Sequence, residues 1–172
     1  MNDWHLTLIL DRMRSAFNVG NILRIAEACG ATEVVGCGYT PLPPHPKLAK
    51  TAMGAERLVR CRHAENSLEA VEMVRAEGCR QVLAVDSLPG SRFAWEFDYQ
   101  FPLALVLGNE ALGILPETVA ACDGVISLPM FGSKASINVG NAAAATVYAV
   151  LARGNPGILK NWRLENENQT GW

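Results

Sequence analysis

Apolar positions along this chain fall into short unbroken runs separated by stretches of helical spacing. Trp4 to Leu10 is apolar almost throughout, as expected for a strand buried on both faces of a parallel sheet. Asp11 to Ser15 reads as a polar loop. A helix is expected from Asn18, as its cap, to Cys29, with Ile22, Leu23, Ile25, Ala26 and Cys29 on one side and Gly30 as the stop. Glu33 to Gly36 reads as a short strand, and Pro41, Pro43, Pro44 and Pro46 then enforce an extended loop. Leu48 to Gly54 reads as a helical turn and Leu58 to Cys61 as a third strand. Leu68, Val71 and Val74, behind Asn66 or Ser67 as cap, mark a helix ending at Gly78. Gln81 to Val85 and Leu103 to Leu107 read as buried strands, separated by an irregular stretch, residues 86–101. Pro116 opens a short helix, Val125 to Leu128 is the last strand, and Asn138 to Leu151 is a long helix stopped by Gly154 and Pro156.

Strands alternating with helices predict an α/β fold, a mainly parallel sheet flanked by helices. The chain has 172 residues, 49% hydrophobic and 19% charged, which suits one filled core and excludes a disordered chain. One domain is expected over residues 1–154, with a polar C-terminal tail over 155–172 that carries Trp162 and Trp172. The longest apolar run, Ala142 to Ala152, is broken by Thr146 and Tyr148 and falls short of the ~20 residues of a membrane span. MNDWHLTLIL has neither a basic start nor a small-residue cleavage site, so no membrane association and a cytoplasmic location are expected.

Net charge is −2, but unevenly spread. Residues 1–64 carry eight basic and five acidic groups, residues 65–98 three and seven. Any anion-facing surface is therefore expected in the N-terminal third. Cys29, Cys37, Cys61, Cys79 and Cys122 form no C-x-x-C pair, and His5, His45 and His63 have no metal spacing, so core thiols and no metal are expected. Gly36-Cys37-Gly38 runs into Pro41 rather than a helix and is no dinucleotide loop.

Three segments differ from ordinary core. Asn18-Val19-Gly20-Asn21-Ile22-Leu23-Arg24 sets amides, a glycine and an arginine at a helix entrance; Asn18 and Arg24 either face one cleft or are a cap and a surface cation. Leu107-Gly108-Asn109-Glu110-Ala111-Leu112-Gly113 follows a buried strand at its carboxyl end, where ligands of open α/β sheets bind; Glu110 is either part of such a site or the partner of a helix N-terminus. Leu128-Pro129-Met130, then Gly132-Ser133-Lys134 and Ser136-Ile137-Asn138-Val139-Gly140-Asn141, lead into a helix opening with Ala142 to Ala145. Here Ser136 or Asn138 is a helix cap or a ligand contact.

Taken in order, these segments resemble the three motifs of the SpoU (TrmH-like) branch of the SPOUT RNA methyltransferases: N-x-G-x-x-x-R, L-G-x-E-x-x-G, and I/L-P-M followed by S-x-N. Thr51-Ala52-Met53-Gly54-Ala55-Glu56 resembles the family's S/T-x-x-G-A-E segment. The resemblance covers about residues 5–153. It implies a C-terminal deep trefoil knot, a homodimer, and S-adenosylmethionine held against Val85, Gly108, Leu128, and Ser136 or Ile137. It implies methyl transfer to a ribose 2′-hydroxyl of RNA, more readily of tRNA than rRNA. Arg24 would orient the hydroxyl or clamp the phosphate, Asn18 shape the entrance, Glu110 hold Arg24 or the cofactor loop, and Ser136 and Asn138 fix the third loop. RNA contacts are expected from Arg12, Arg14, Lys47, Lys50 and Lys134, on a dimer surface rather than an added N-terminal domain. A non-catalytic RNA-binding factor on the same fold, or a small-molecule α/β enzyme, is the alternative.

Overall fold

A computed structural model of the chain describes residues 4–155 and Gly157. Seven parallel-paired strands form one sheet: β1 (Leu6–Asp11), β2 (Glu33–Cys37), β3 (Cys61–Ala64), β4 (Gln81–Val85), β5 (Arg92–Phe93), β6 (Leu103–Leu107) and β7 (Gly124–Ser127), in the order β3-β2-β1-β6-β4-β7-β5. Five α-helices are present among the described residues: α1 (Ala16–Ala28), α2 (Leu48–Thr51), α3 (Ser67–Ala76), α4 (Pro116–Ala121) and α5 (Val139–Gly154).

Strand side chains alternate between two cores, as the period of two requires. Leu6, Leu8 and Leu10 of β1 join Leu103, Leu105 and Leu107 of β6 on one face. There they meet Ile22, Leu23 and Ala26 of α1 and Val147, Val150 and Leu151 of α5. Ile9, Val82, Ala84, Ala104 and Val106 point the other way, onto Ala70, Val71 and Val74 of α3. The predicted α/β arrangement, a mainly parallel sheet flanked by helices, is the one observed. The long connections return the chain to the middle of the sheet, so β6 lies between β1 and β4 although it follows β5 in sequence.

Several boundaries differ from the pattern-based expectation. Ser15, not Asn18, caps α1; its hydroxyl accepts the Asn18 N–H at 3.3 Å, and the helix starts three residues earlier than expected. The Asn18 side chain is committed elsewhere. β3 begins at Cys61 rather than ending there, because pairing with β2 aligns Val34 with Cys61 and Cys37 with Ala64. As an edge strand it is half-exposed and carries Arg62 and His63, so it lacks an apolar run. A two-residue edge strand, β5, lies within the stretch read as irregular. Asn138 does cap α5, its Oδ1 accepting the N–H groups of Gly140 and Asn141. All but Asn155 of the expected tail, apart from Gly157, lies outside the described residues.

All five thiols are free. Burial pushes Cys29 and Cys61 up to about 11 and Cys37 and Cys122 up to about 12, so they are neutral core groups. Among the described residues no helix is long and apolar enough to cross a membrane, and no His, Cys, Asp and Glu cluster could hold a metal ion.

Candidate active site

The turns leaving β4, β6 and β7, together with the N-terminal ends of α1 and α5, enclose a cavity of about 550 Å³. That is within the ~300–1,000 Å³ range of small-molecule sites, and it lies at the carboxyl edge of the sheet, where such sites form.

Each of the three unusual segments supplies part of its wall, and one chain of hydrogen bonds links all three. The Asn138 amide nitrogen donates to Asn18 Oδ1 at 3.0 Å, and the Asn18 amide nitrogen donates to Glu110 Oε1 at 2.9 Å. Glu110 also accepts the backbone N–H groups of Arg14 at 3.1 Å and Ser15 at 3.0 Å. Amide orientation follows from the ends of this chain. Asn138 Oδ1 is held by two backbone donors, so its nitrogen must face Asn18, whose own nitrogen must then face the carboxylate. Burial alone would raise the Glu110 carboxyl, but the hydrogen bonds from Arg14, Asn18, its own backbone and Ser15 outweigh it and hold its pKa below the usual carboxylate range.

The turn after β6 is shaped by a residue to which the sequence pattern assigned no role. Asn109 is buried; its Oδ1 accepts the N–H groups of Ala111 and Leu112, and its nitrogen donates to the Arg12 carbonyl and to Tyr39 Oη. Its backbone pairs with Gly113. The two-residue reach of Oδ1 is the Asx turn that asparagine favours, and it was the available signal. The turn folds back so tightly that a Cβ on Gly108 would lie 2.8 Å from the Gly113 carbonyl carbon.

Asn18, Glu110, Ser136 and Asn138 all line the cavity, as do Val85, Gly108, Leu128 and Ile137. Met130 of the third segment and Ala142 at the start of α5 line it too, as do Asp86 and Ser87, which the sequence pattern did not single out. Arg24 does not. It lies on the exposed side of α1, beside a separate depression with Asn21, Ile25, Met53, Leu58 and Tyr148. Six residues at 100° each turn the helix by a net 240°, so Asn18 and Arg24 point to different sides. Glu110 accordingly holds Asn18 and the turn before α1, not Arg24.

The basic candidates divide as well. Arg14, Lys47 and Lys50 lie around one depression, and Lys134 stands in the exposed loop before α5. Arg12 is different: its guanidinium is bidentate on buried Asp11 at 2.9 and 3.0 Å. Two of its nitrogens are thus held in an internal ion pair, because a buried carboxylate requires a partner. Thr51, in the fourth motif-like segment, packs under α1 beside Gly20, where a Cβ would come within 2.1 Å of Thr51 Oγ1.

A parallel sheet whose carboxyl-edge turns close one cavity, apolar along Val85, Leu128 and Ile137 and polar at Asn18, Ser136 and Asn138, defines a ligand-binding α/β domain. The chain belongs to the SpoU rRNA Methylase family, whose model matches residues 5–148. Over 146 residues it is 33% identical to the 23S rRNA (uridine(2479)-2'-O)-methyltransferase of Streptomyces viridochromogenes, an alignment spanning 83% of this chain and 51% of that protein. It is 31% identical over 163 residues to the tRNA (guanosine(18)-2'-O)-methyltransferase of Thermus thermophilus, spanning 94% and 82%. The crystal structure of the SpoU methyltransferase AviRb from Streptomyces viridochromogenes, in complex with the cofactor AdoMet, superposes with a TM-score of 0.77 at 30% identity, covering 86% of this chain and 57% of that one. The chain spans about half the length of several curated relatives that it matches.

Proposed function

We propose that this chain is an S-adenosylmethionine-dependent RNA methyltransferase that acts on a ribose 2′-hydroxyl. The observation that carries this proposal is the Glu110–Asn18–Asn138 chain, which draws the three family motifs around one cavity. Its lining suits the cofactor. Val85, Leu128, Met130 and Ile137 offer apolar walls for a flat ring and a thioether-like chain, and the hydroxyl and amides of Ser136, Asn18 and Asn138 suit a charged amino-acid end. S-adenosylmethionine, when bound, supplies an already activated methyl group, so the protein's tasks are alignment and handling of the hydroxyl proton.

Asn18 and Glu110 hold the loops in place. Ser136 and Asn138 fix the third loop against the reacting end. Arg24 orients the 2′-hydroxyl or grips the target phosphate; its guanidinium stays protonated near neutral pH and does not itself take the proton. Since Arg24 stands outside the cavity of its own chain, it reaches a reacting ribose only when the exposed α1–α5 side meets a second subunit or the RNA. Ile25, Met53, Leu58 and Tyr148 on that side are the surface proposed for a homodimer; Met53 and Leu58 are more than 70% exposed. The trefoil knot and a cytoplasmic location belong to the same proposal, which needs no metal. Transfer RNA, as the more compact target, is proposed as the substrate, with ribosomal RNA as the alternative.

Titration calorimetry with S-adenosylmethionine, followed by tritiated methyl transfer to bulk RNA, tests the activity. Absence of cofactor binding would reject the methyltransferase. Binding without transfer would favour a non-catalytic RNA-binding factor. Nucleoside mass spectrometry of RNA from a deletion strain would name the target through the missing 2′-O-methyl nucleoside.

A further inference from the structure

Six arginines among the described residues are engaged by carboxylates: Arg12, Arg57, Arg60, Arg62, Arg75 and Arg153. Arg14, Lys47 and Lys50 have no ion-pair partner among those residues. All three line one depression of about 490 Å³, with His45 and Phe17, and no carboxylate lines it. Phe17 is 67% exposed, although the next three residues of α1 are buried. A single exposed phenyl ring requires no explanation by itself. This one is ringed by three cations with no carboxylate among them, a surface complementary to a polyanion. His45 Nδ1 accepts the Lys47 N–H at 3.3 Å, which leaves its Nε2–H as a free donor.

The depression adjoins the main cavity. Arg14 and Ser15 line it, while their backbone N–H groups hold Glu110, which lines the cavity. An RNA strand entering the cavity therefore passes beside this surface.

We propose that this depression binds one unpaired nucleotide that flanks the methylated residue. Phe17 stacks on its base, and Arg14, Lys47 and Lys50 contact the adjacent phosphates. It rests on the RNA methyl-transfer function proposed above and narrows the substrate to RNA whose flanking base is unstacked, in a loop or bulge. Every base has a π-face for an aromatic ring, but inside an A-form duplex that face is covered by neighbouring bases. The cations confer affinity without sequence preference.

Fluorescence anisotropy on the full chain, with a labelled mixed-sequence eight-nucleotide RNA and a twelve-base-pair RNA duplex as probes, tests this. Phe17→Ala is expected to weaken single-strand binding by about tenfold and to leave the duplex unaffected, while Phe17→Trp retains parental affinity. Lys47→Gln and Lys50→Gln should each lower the slope of log affinity against log salt by about 0.7, whereas Phe17→Ala leaves it unchanged. Equal losses on both probes, or none on the single strand, would overturn the proposal. So would a changed sedimentation coefficient for Phe17→Ala, which would assign the ring to a protein interface. Cofactor calorimetry keeps the two proposals distinguishable. If S-adenosylmethionine fails to bind, the methyl-transfer function fails irrespective of the oligonucleotide result. If it binds and transfer proceeds with a parental KM for bulk RNA in Phe17→Ala, only the stacking site fails.

Discussion

The side-chain amide of Asn18 donates to Glu110 at 2.9 Å while its oxygen accepts from Asn138 at 3.0 Å, joining residues 92 and 120 positions away in the chain. A buried amide satisfied on both sides sets the relative positions of three loops that would otherwise move independently.

Removing both amides should therefore cost less than the sum of the two single losses. Asn18→Ala and Asn138→Ala share one hydrogen bond, so their stability losses are expected to be non-additive by about 0.5 kcal/mol or more in a double-mutant cycle. Strict additivity in denaturant titrations would show the two amides acting independently.

Glu110→Ala should harm methyl transfer more than folding. The carboxylate sits in a turn outside both cores, so a stability loss of about 1 kcal/mol is expected after solvent discounting, against a fall in transfer of ~10²-fold from lost positioning. A large drop in melting temperature with full activity would make Glu110 purely structural.

The same residue predicts a pH dependence. Its folded pKa is lowered, so its contribution to stability is present above the ordinary glutamate value of about 4.3 and is lost as pH falls through the lower folded value. The stability difference between the parent and Glu110→Gln should be full near neutrality and shrink on acidification. A difference that stays constant from pH 7 to pH 3 would contradict this.

Gly20→Ala should destabilise, although alanine is the better helix former by about 1 kcal/mol. The new Cβ would lie 2.1 Å from Thr51 Oγ1 and 2.9 Å from the Ala52 backbone nitrogen, so α1 and α2 must separate. A loss of about 1–3 kcal/mol is expected from such overpacking. Thermal unfolding reads it directly, and a gain in stability would mean that the α1–α2 contact is loose.

Arg24 lies outside the cavity, so Arg24→Ala should bind S-adenosylmethionine like the parent while its methyl transfer falls by ~10²-fold or more. Arg24→Lys should recover little, because an ammonium cannot reproduce the planar fork. Calorimetry paired with single-turnover methylation decides it, and near-parental turnover in Arg24→Lys would reject the role. Sedimentation of the parent at micromolar concentration should give twice 18.6 kDa; the mass of one chain would remove the proposed dimer.

Local chemistry was sufficient to read the strands Gln81–Val85 and Leu103–Leu107, and the first strand within two residues of its observed bounds, since an apolar run has one stable place, inside a covered parallel sheet. The same holds for the Asn138 cap and for Pro116 at the start of α4, which depend only on neighbouring backbone. The family motifs, too, were legible as ordered residue types. What they do to one another was not. That Asn18 bridges Glu110 and Asn138 depends on contacts 92 and 120 residues apart, for which no local periodicity exists. Arg24 shares a motif with Asn18, yet helix rotation sends it to another face, and Arg12 is withdrawn from the basic surface by a buried Asp11. Composition supplies the groups; sheet order and helix orientation decide which of them meet, because hydrogen bonds and ion pairs form over ångströms of space and not over positions in a chain.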